Sequence, residues 1–309
     1  MTAEPSAPLE SAGPPPHVGP RDPGDAWVYG PDGSKFWGAF GAAGLLAIDP
    51  ARGVLLQHRV AWSHHGGTWG LPGGARHAGE SAVHGALRES HEEAGVPAGA
   101  IRPLFTHLLD LEFWSYTTLV GEVTAPFDPT IGDAESLSFE WVPIPDVSSL
   151  PLHPGFEAAW PLLLHAAERP HPAVVVDVAN VVGSVPNGWW RDRVGAASRL
   201  LERLGALAAD GMPAAALERP WHTWFPDWVA VLEGQARAAR TPAGIEVVRA
   251  EASGDDAIVE AAQRLTAQGR EVAVITSDRG LIARVSAVGA TRLPPRWVLD
   301  RLAQTSGPV

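Results

Sequence analysis

Apolar and small residues dominate WGAFGAAGLLAID (37–49) and, after a short turn, VLLQHRV (54–60), a pattern that predicts two paired strands. A glycine-rich loop around a short strand follows in GGTWGLPGG (66–74). The period then changes. In ESAVHGALRESHEEAG (80–95), Ala82, Ala86 and Leu87 fall on one side of a helix and Gly95 supplies the stop. Strands are expected at 101–109, 113–123 and 138–143, and a helix at 155–167. ERPHP (168–172) holds two prolines, has no period and reads as a linker.

Beyond the linker, AVVVDVANVV (173–182) is a continuous apolar run of the kind buried on both faces of a parallel sheet. Helical patterns at 189–208, 255–268, 279–288 and 295–303 alternate with strand patterns at 228–234, 245–248 and 271–277. That alternation predicts a doubly wound α/β/α domain with a parallel sheet. The expectation is therefore an α/β chain of two domains. Residues 25–167 form a mixed sheet between helices, 168–172 link, and 173–309 form the parallel-sheet domain. Residues 1–24, rich in Pro, Ala, Ser and Gly, read as a disordered tail.

Composition narrows the function. A chain of 309 residues exceeds one ordinary core, and 45% hydrophobic with 19% charged residues is enough to fill two. A net charge of −12 provides no basic footprint for gripping nucleic acid or membrane. It leaves open an enzyme that meets phosphates through bound metal. The absence of cysteine excludes disulfides and thiolate metal sites. With no basic, apolar leader and no membrane-length apolar run, the reading is a soluble cytoplasmic protein without a membrane partner. Its oligomeric state, homodimer included, is left open.

One stretch stands out. RESHEEAGV (88–96) places Glu89, Glu92 and Glu93 at i, i+3 and i+4, on adjoining points of one helix face. Like charges so placed repel unless a cation lies between them. Three carboxylates held this way suit Mg²⁺ or Mn²⁺, which in turn binds phosphate oxygens. Taken alone, the cluster reads equally as a solvated helix face. Its surroundings decide. Gly74, Glu80, Arg88, Glu89, Glu92, Glu93, Gly95 and Val96 fall in order on the Nudix signature, and TWGLPGG (68–74) is similar to the lead-in common to Nudix hydrolases. Ser90 departs from it, standing where the family usually has an apolar residue. The resemblance implies a Nudix fold and a magnesium-dependent pyrophosphohydrolase with a nucleotide-type substrate. It makes Glu92 and Glu93 the main metal ligands and Glu89 a ligand or general base. The Gly73 carbonyl is a further ligand, and Glu80 and Arg88 orient the glutamates. Glu135, in GDAESLSFEWVPI (132–144), corresponds to an additional metal-binding or basic glutamate of some Nudix enzymes. Candidates for substrate contact are His64, Trp69 and Trp114. For His64 and its neighbour His65 the plainer reading is solvated loop residues, and Trp69 and Trp114 read equally as core.

The second half carries its own pattern. Asp177 ends an apolar strand, with Asn180 three residues on, and Glu233, Asp255 and Asp278 stand at comparable strand or helix ends. In open α/β sheets the carboxyl ends of the strands form the ligand crevice, so these acids converge there. Capping is the bland alternative for Asp255 and Asp278. The arrangement resembles PIN-like nucleases of the NYN branch, which implies a second Mg²⁺ or Mn²⁺ site and RNA as a partner. Glu233 departs from the usual aspartate. Two other readings stay open: a Nudix nucleotide sensor regulating the nuclease, and a non-catalytic C-terminal scaffold.

Overall fold

The structure, a computed structural model, describes residues 22–186 and 188–305. Most of the expected tail lies outside the described residues, but Asp22–Gly24 form a turn whose Gly24 carbonyl accepts the Ala39 amide at 2.8 Å. The chain divides into two compact units between Ala166 and Ala167.

The first unit runs through β1 (Trp27–Tyr29), β2 (Lys35–Trp37), β3 (Ala42–Asp49), β4 (Gly53–Arg59), β5 (Trp69–Gly70) and β6 (Gly73–Ala75). It continues with α1 (Ala82–Ala94), β7 (Ile101–Asp110), β8 (Ser115–Val123), β9 (Ser136–Val142) and α2 (Pro154–Ala167). Strands β7, β8, β3, β4 and β5 lie side by side in that order, with β6 added to β3 and β9 to β4. The central strand β3 is apolar as far as Ile48 and is buried without a break from Ala42 to Ala47. β3 and β4 pair as expected only at the turn, through Ile48–Val54 and Asp49–Gly53. Away from it they diverge. β3 runs parallel to β8 over Ala42–Ile48, and its first residues accept β6 as a second neighbour. That inserted strand carries the loop before α1 to the middle of the mixed sheet.

Helix α1 begins at Ser81, whose hydroxyl accepts the His84 amide at 3.2 Å. It ends at Gly95 in the left-handed conformation (φ 67°), with the Gly95 and Val96 amides returning to the His91 and Ser90 carbonyls. Ser90 is fully buried and its hydroxyl is satisfied by the Leu87 carbonyl at 3.0 Å. A small, internally bonded serine thus fills a place that an apolar side chain would otherwise occupy.

The second unit holds β10 (Pro172–Asp177), α3 (Val178–Gly183), α4 (Arg193–Asp210), β11 (Met212–Pro213), β12 (Thr223–Trp224), β13 (Asp227–Leu232) and β14 (Glu246–Arg249). Then come α5 (Gly254–Ala267), β15 (Glu271–Ile275), α6 (Arg279–Ala287), β16 (Thr291–Leu293) and α7 (Pro295–Thr305). A parallel sheet of order β14-β13-β10-β15-β16 forms its centre, and β11 and β12 make a short antiparallel pair. Alternate residues of β10 serve opposite layers. Val174 and Val176 pack with Leu200, Leu201 and Leu204 of α4 and Val298 and Leu302 of α7. Ala173 and Val175 pack with Ile258 and Leu265 of α5 and Leu281 and Val285 of α6. Within the apolar run 173–182 the strand ends at Asp177, and the second half of the run is the short helix α3. The helix expected over 189–208 is likewise broken: a 3₁₀ turn at Trp189–Arg191 precedes α4, and Asp192 between them caps α4 by accepting the Gly195 amide at 2.8 Å.

Candidate active site

Three carboxylates of α1 and its lead-in are tied together by one arginine. Arg88 donates to Glu80 through Nε (2.9 Å) and Nη2 (3.0 Å), to Glu89 Oε1 through Nη1 (2.8 Å), and to Glu92 Oε2 (3.2 Å). Its Nη2 also reaches the Ala75 carbonyl at 2.9 Å, which fastens β6 to the helix. The spacing explains the grip: Glu92 lies one turn beyond Arg88, and Glu80 lies in the loop on the same side. Glu80 further accepts the His77 amide at 3.0 Å. Hydrogen bonding from Arg88 holds its carboxyl below the usual range, against the upward push of burial.

Glu93 faces the other way, into the sheet, where its carboxylate accepts the Gly73 amide at 2.9 Å. Burial pushes its carboxyl well above the usual range, and Asp133 and Glu89 add to the rise. Burial also raises Glu89, with Arg88 opposing and Glu92 and Asp25 reinforcing. Two enclosed carboxylates are thus held in surroundings that resist their negative charge. Gly74 makes room for one of them, since a Cβ there would lie 2.6 Å from Glu89 Oε2. Gly132 presses on the end of the same helix: its amide donates to the Glu93 carbonyl at 2.8 Å, and a Cβ would meet the Glu92 carbonyl at 1.9 Å.

Gly73 was expected through its carbonyl, whereas its amide holds Glu93. Glu135 faces Arg59 at 3.6 Å. Its loop also places Asp133 near Glu93, a residue that sequence reasoning passed over together with Asp25 and the half-buried Tyr116. Burial and the Glu93 charge both hold the Tyr116 phenol protonated. The only advance signal for Asp133 was its position two residues before Glu135.

The loop after β4 carries the expected histidines. The His64 carbonyl accepts Arg59 Nε at 3.3 Å, and the His65 carbonyl accepts Thr68 Oγ1 at 2.6 Å. His65 takes a left-handed backbone (φ 56°), and its ring lies 4.1 Å from that of His64 and 4.7 Å from that of His153. Burial lowers His153 to about 4, with His65, Arg59 and His64 adding to the fall. Trp69 stacks on His58 at 4.5 Å, while Trp114 stacks on Phe36 at 4.6 Å and donates Nε1 to the Trp37 carbonyl. Both tryptophans therefore have packing partners of their own.

In the second unit, Asp177 ends β10 and caps α3, accepting the Asn180 amide at 3.0 Å and the buried Thr276 hydroxyl at 2.9 Å. Asn180 Oδ1 in turn accepts the Ser277 amide (3.0 Å) and hydroxyl (2.7 Å). Asp278 is a cap as well, accepting the Leu281 amide at 2.8 Å. Glu233 accepts the Gly254 amide at 3.2 Å. Ser253, not Asp255, caps α5. Asp256 is engaged by Arg284 at 2.5 Å. Burial raises Asp177, and the charges of Asp255 and Glu233 raise it further, so these acids feel one another across the strand ends. The structure thus gathers Asp177, Asn180, Glu233 and Asp255, while capping already accounts for the bonds of Asp278.

Mixed sheet, inserted glycine strand and glutamate helix together define a Nudix hydrolase unit. The NUDIX domain model matches residues 39–164. The "Putative 8-oxo-dGTP diphosphatase 3" of Mycobacterium tuberculosis is 44% identical over 165 residues, covering 50% of this chain and 73% of that protein. A "Nucleoside triphosphate pyrophosphatase/Nudix hydrolase fusion protein" of Bifidobacterium longum is 42% identical over 155 residues, 48% of this chain and 32% of that one. Among solved structures, the Nudix hydrolase RenU of M. smegmatis is 42% identical with a TM-score of 0.43, covering 47% of this chain and 95% of its own. The chain belongs to the Nudix family. No helix among the described residues is long and apolar enough to cross a membrane.

Proposed function

We propose that the N-terminal unit hydrolyses a pyrophosphate linkage in a nucleoside triphosphate or nucleoside diphosphate derivative, with Mg²⁺ or Mn²⁺ bound. The observation that carries this reading is the single helix face on which Arg88 gathers Glu80, Glu89 and Glu92 while Glu93 turns inward to Gly73. The donors are hard oxygens, and two of them, Glu89 and Glu93, are pushed toward protonation by burial and by neighbouring carboxylates, which a divalent cation would reverse. Glu92 and Glu93 would be its main ligands, with Glu89, the Gly73 carbonyl and Glu135 as the further candidates. When bound, such an ion supplies Lewis-acid polarisation of a phosphoryl oxygen and a lowered pKa for water.

The residues of the chain set the rest. Arg88 and Glu80 hold the helix face in register with β6, and Glu89 is placed to accept a proton. The water oxygen bonds to phosphorus, and the bridging P–O bond breaks with its electron pair leaving on the departing phosphate. Nucleoside monophosphate is one product. The name carried by the mycobacterial relative supports a guanine nucleoside triphosphate as the first substrate to try. Hydrolysis over a panel containing 8-oxo-dGTP, dGTP and nucleoside diphosphate derivatives tests the reading. Wild type is expected to turn over at least one compound, and Glu92→Gln to slow it by at least about tenfold. Equal rates at saturating metal would sink the proposal, and binding without turnover would replace it with a sensor role.

We infer further that the C-terminal unit is a PIN-like, metal-dependent ribonuclease. Asp177 ends the central strand of a 3-2-1-4-5 parallel sheet, at the point where the chain order reverses and crevices form. Asn180, Glu233 and Asp255 stand around it. Single-stranded RNA incubated with Mn²⁺ or Mg²⁺ provides the test. Degradation by wild type should be lost in an Asp177→Asn, Asp278→Asn double variant, which keeps a capping side chain at both helix starts. Should both proteins act alike on RNA, the nuclease reading fails and a scaffold role takes its place.

A further inference from the structure

We propose that His64, His65 and His153 form a transition-metal site that takes Zn²⁺, separate from the glutamates of α1. One ring nitrogen from each histidine lies within 4.8 Å of those of the other two. Among the described residues no other group of three histidines or acids meets that criterion, including either acidic constellation described above.

The backbone brings the rings together across a long interval of sequence. His64 and His65 sit on a tight loop: the Ser63 hydroxyl bonds the Val60 carbonyl at 2.9 Å, the Gly66 amide bonds the Ser63 carbonyl at 2.9 Å, and the Gly67 amide returns to the Arg59 carbonyl at 3.0 Å. His153 is pinned to the neighbouring strand β5. The Trp69 amide donates to the Pro151 carbonyl, and the His153 amide donates to the Trp69 carbonyl, both at 2.8 Å. The positive φ of His65 is an uncommon conformation for a residue with a side chain, and it turns that ring between the other two.

Three imidazoles with a fourth position open is a familiar zinc coordination, and imidazole nitrogen suits zinc better than magnesium. Zinc–nitrogen bonds of about 2.0 Å in a tetrahedron place the nitrogens ~3.3 Å apart. The rings therefore have to draw in by about 1.5 Å at most, which side-chain rotation of the exposed His64 and His65 provides. The Gly155 amide approaches His153 Nδ1 at 3.2 Å. This long bond is given up on binding, whichever nitrogen of that ring takes the ion. Nearby Arg59 does not stand unanswered, since Glu135 faces it at 3.6 Å. Capture of an anion instead would require three adjoining rings to be charged together beside that arginine.

The full-length protein, stripped with chelator and then held in millimolar Mg²⁺ to saturate the carboxylates, is titrated with Zn²⁺ by calorimetry. Cobalt absorption in the visible range reports the geometry. Wild type should bind one zinc ion and give the strong bands of tetrahedral cobalt. A His64→Ala, His65→Ala variant, altered only at exposed positions, should bind at least about 100-fold more weakly. His153→Asn should behave alike, since asparagine keeps a capping group before α2. Glu92→Gln should retain the zinc ion and the cobalt bands. Unchanged affinity in both histidine variants overturns the proposal, as does loss of zinc in Glu92→Gln. So does a titration in which inorganic phosphate binds the cluster and Zn²⁺ does not.

Discussion

Replacing Glu93 by glutamine should lower kcat for pyrophosphate hydrolysis by on the order of 10³-fold, and it should also make the metal-free protein more stable at neutral pH. Both effects come from one carboxylate. Glu93 is enclosed beneath the sheet, near Asp133 and Glu89, with the Gly73 amide as its hydrogen-bond donor. Glutamine keeps an oxygen for that amide and removes the charge. A raised folded-state value means that the favourable contribution of this carboxyl is present at low pH and is lost as pH rises through that value. Without metal, the wild type should therefore weaken relative to the variant as pH rises from the ordinary carboxylate range through the raised value of Glu93. Urea unfolding in chelator measures this, and steady-state hydrolysis in saturating Mg²⁺ measures the other half. A variant with wild-type turnover, or with the same dependence of stability on pH, contradicts the role assigned to Glu93.

That carboxylate also marks how far the primary structure could be read. The helix face was legible because its determinants are local: Ser81 caps it, Gly95 stops it, and the glutamates fall one turn apart. The clamp by Arg88 follows from the same spacing. The inward turn of Glu93 does not, because its partner lies 20 residues away on a strand inserted beside β3. Periodicity announces strands but not their neighbours, and so the parallel pairing of β3 with β8 and the wedge made by β6 were hidden. Asp133 reaches Glu93 through a loop whose course is set by Gly132 packing on the helix end, a contact that no local pattern reports.

The second unit failed differently. A buried helix of six residues and a buried strand share one apolar pattern, so periodicity alone does not reveal that α3 follows β10. Val178 and Val181 are as buried as the valines of the strand before them. The turn falls at Asp177, whose side chain caps the helix that follows. Asp177 caps α3 and accepts from Thr276 at once. The candidate zinc ligands show a third limit. His64 and His65 are adjacent and invited attention, whereas His153 joins them only through the pairing of β5 with the segment before α2.

Alanine at Gly73 and alanine at Gly74 should part company, although the residues are neighbours. A Cβ on Gly73 would stand 2.4 Å from the Gly44 Cα and 2.5 Å from the Ala43 carbonyl oxygen, which is backbone against backbone. β6 would have to move away from β3, carrying with it the amide that holds Glu93. The expected cost is about 1–3 kcal/mol of stability, seen as a lowered Tm, together with nearly complete loss of hydrolysis. At Gly74 the added carbon meets only the carboxylate of Glu89, at 2.6 Å, and the end of a side chain can swing aside. Stability should stay close to wild type there, while turnover falls by at least about tenfold because Glu89 leaves the Arg88 clamp. Thermal unfolding and steady-state kinetics on the two variants separate the cases. If Gly74→Ala melts as early as Gly73→Ala, the glycine at 74 serves the sheet and not the carboxylate. If Gly73→Ala keeps full activity, Glu93 does not depend on the Gly73 amide for its position.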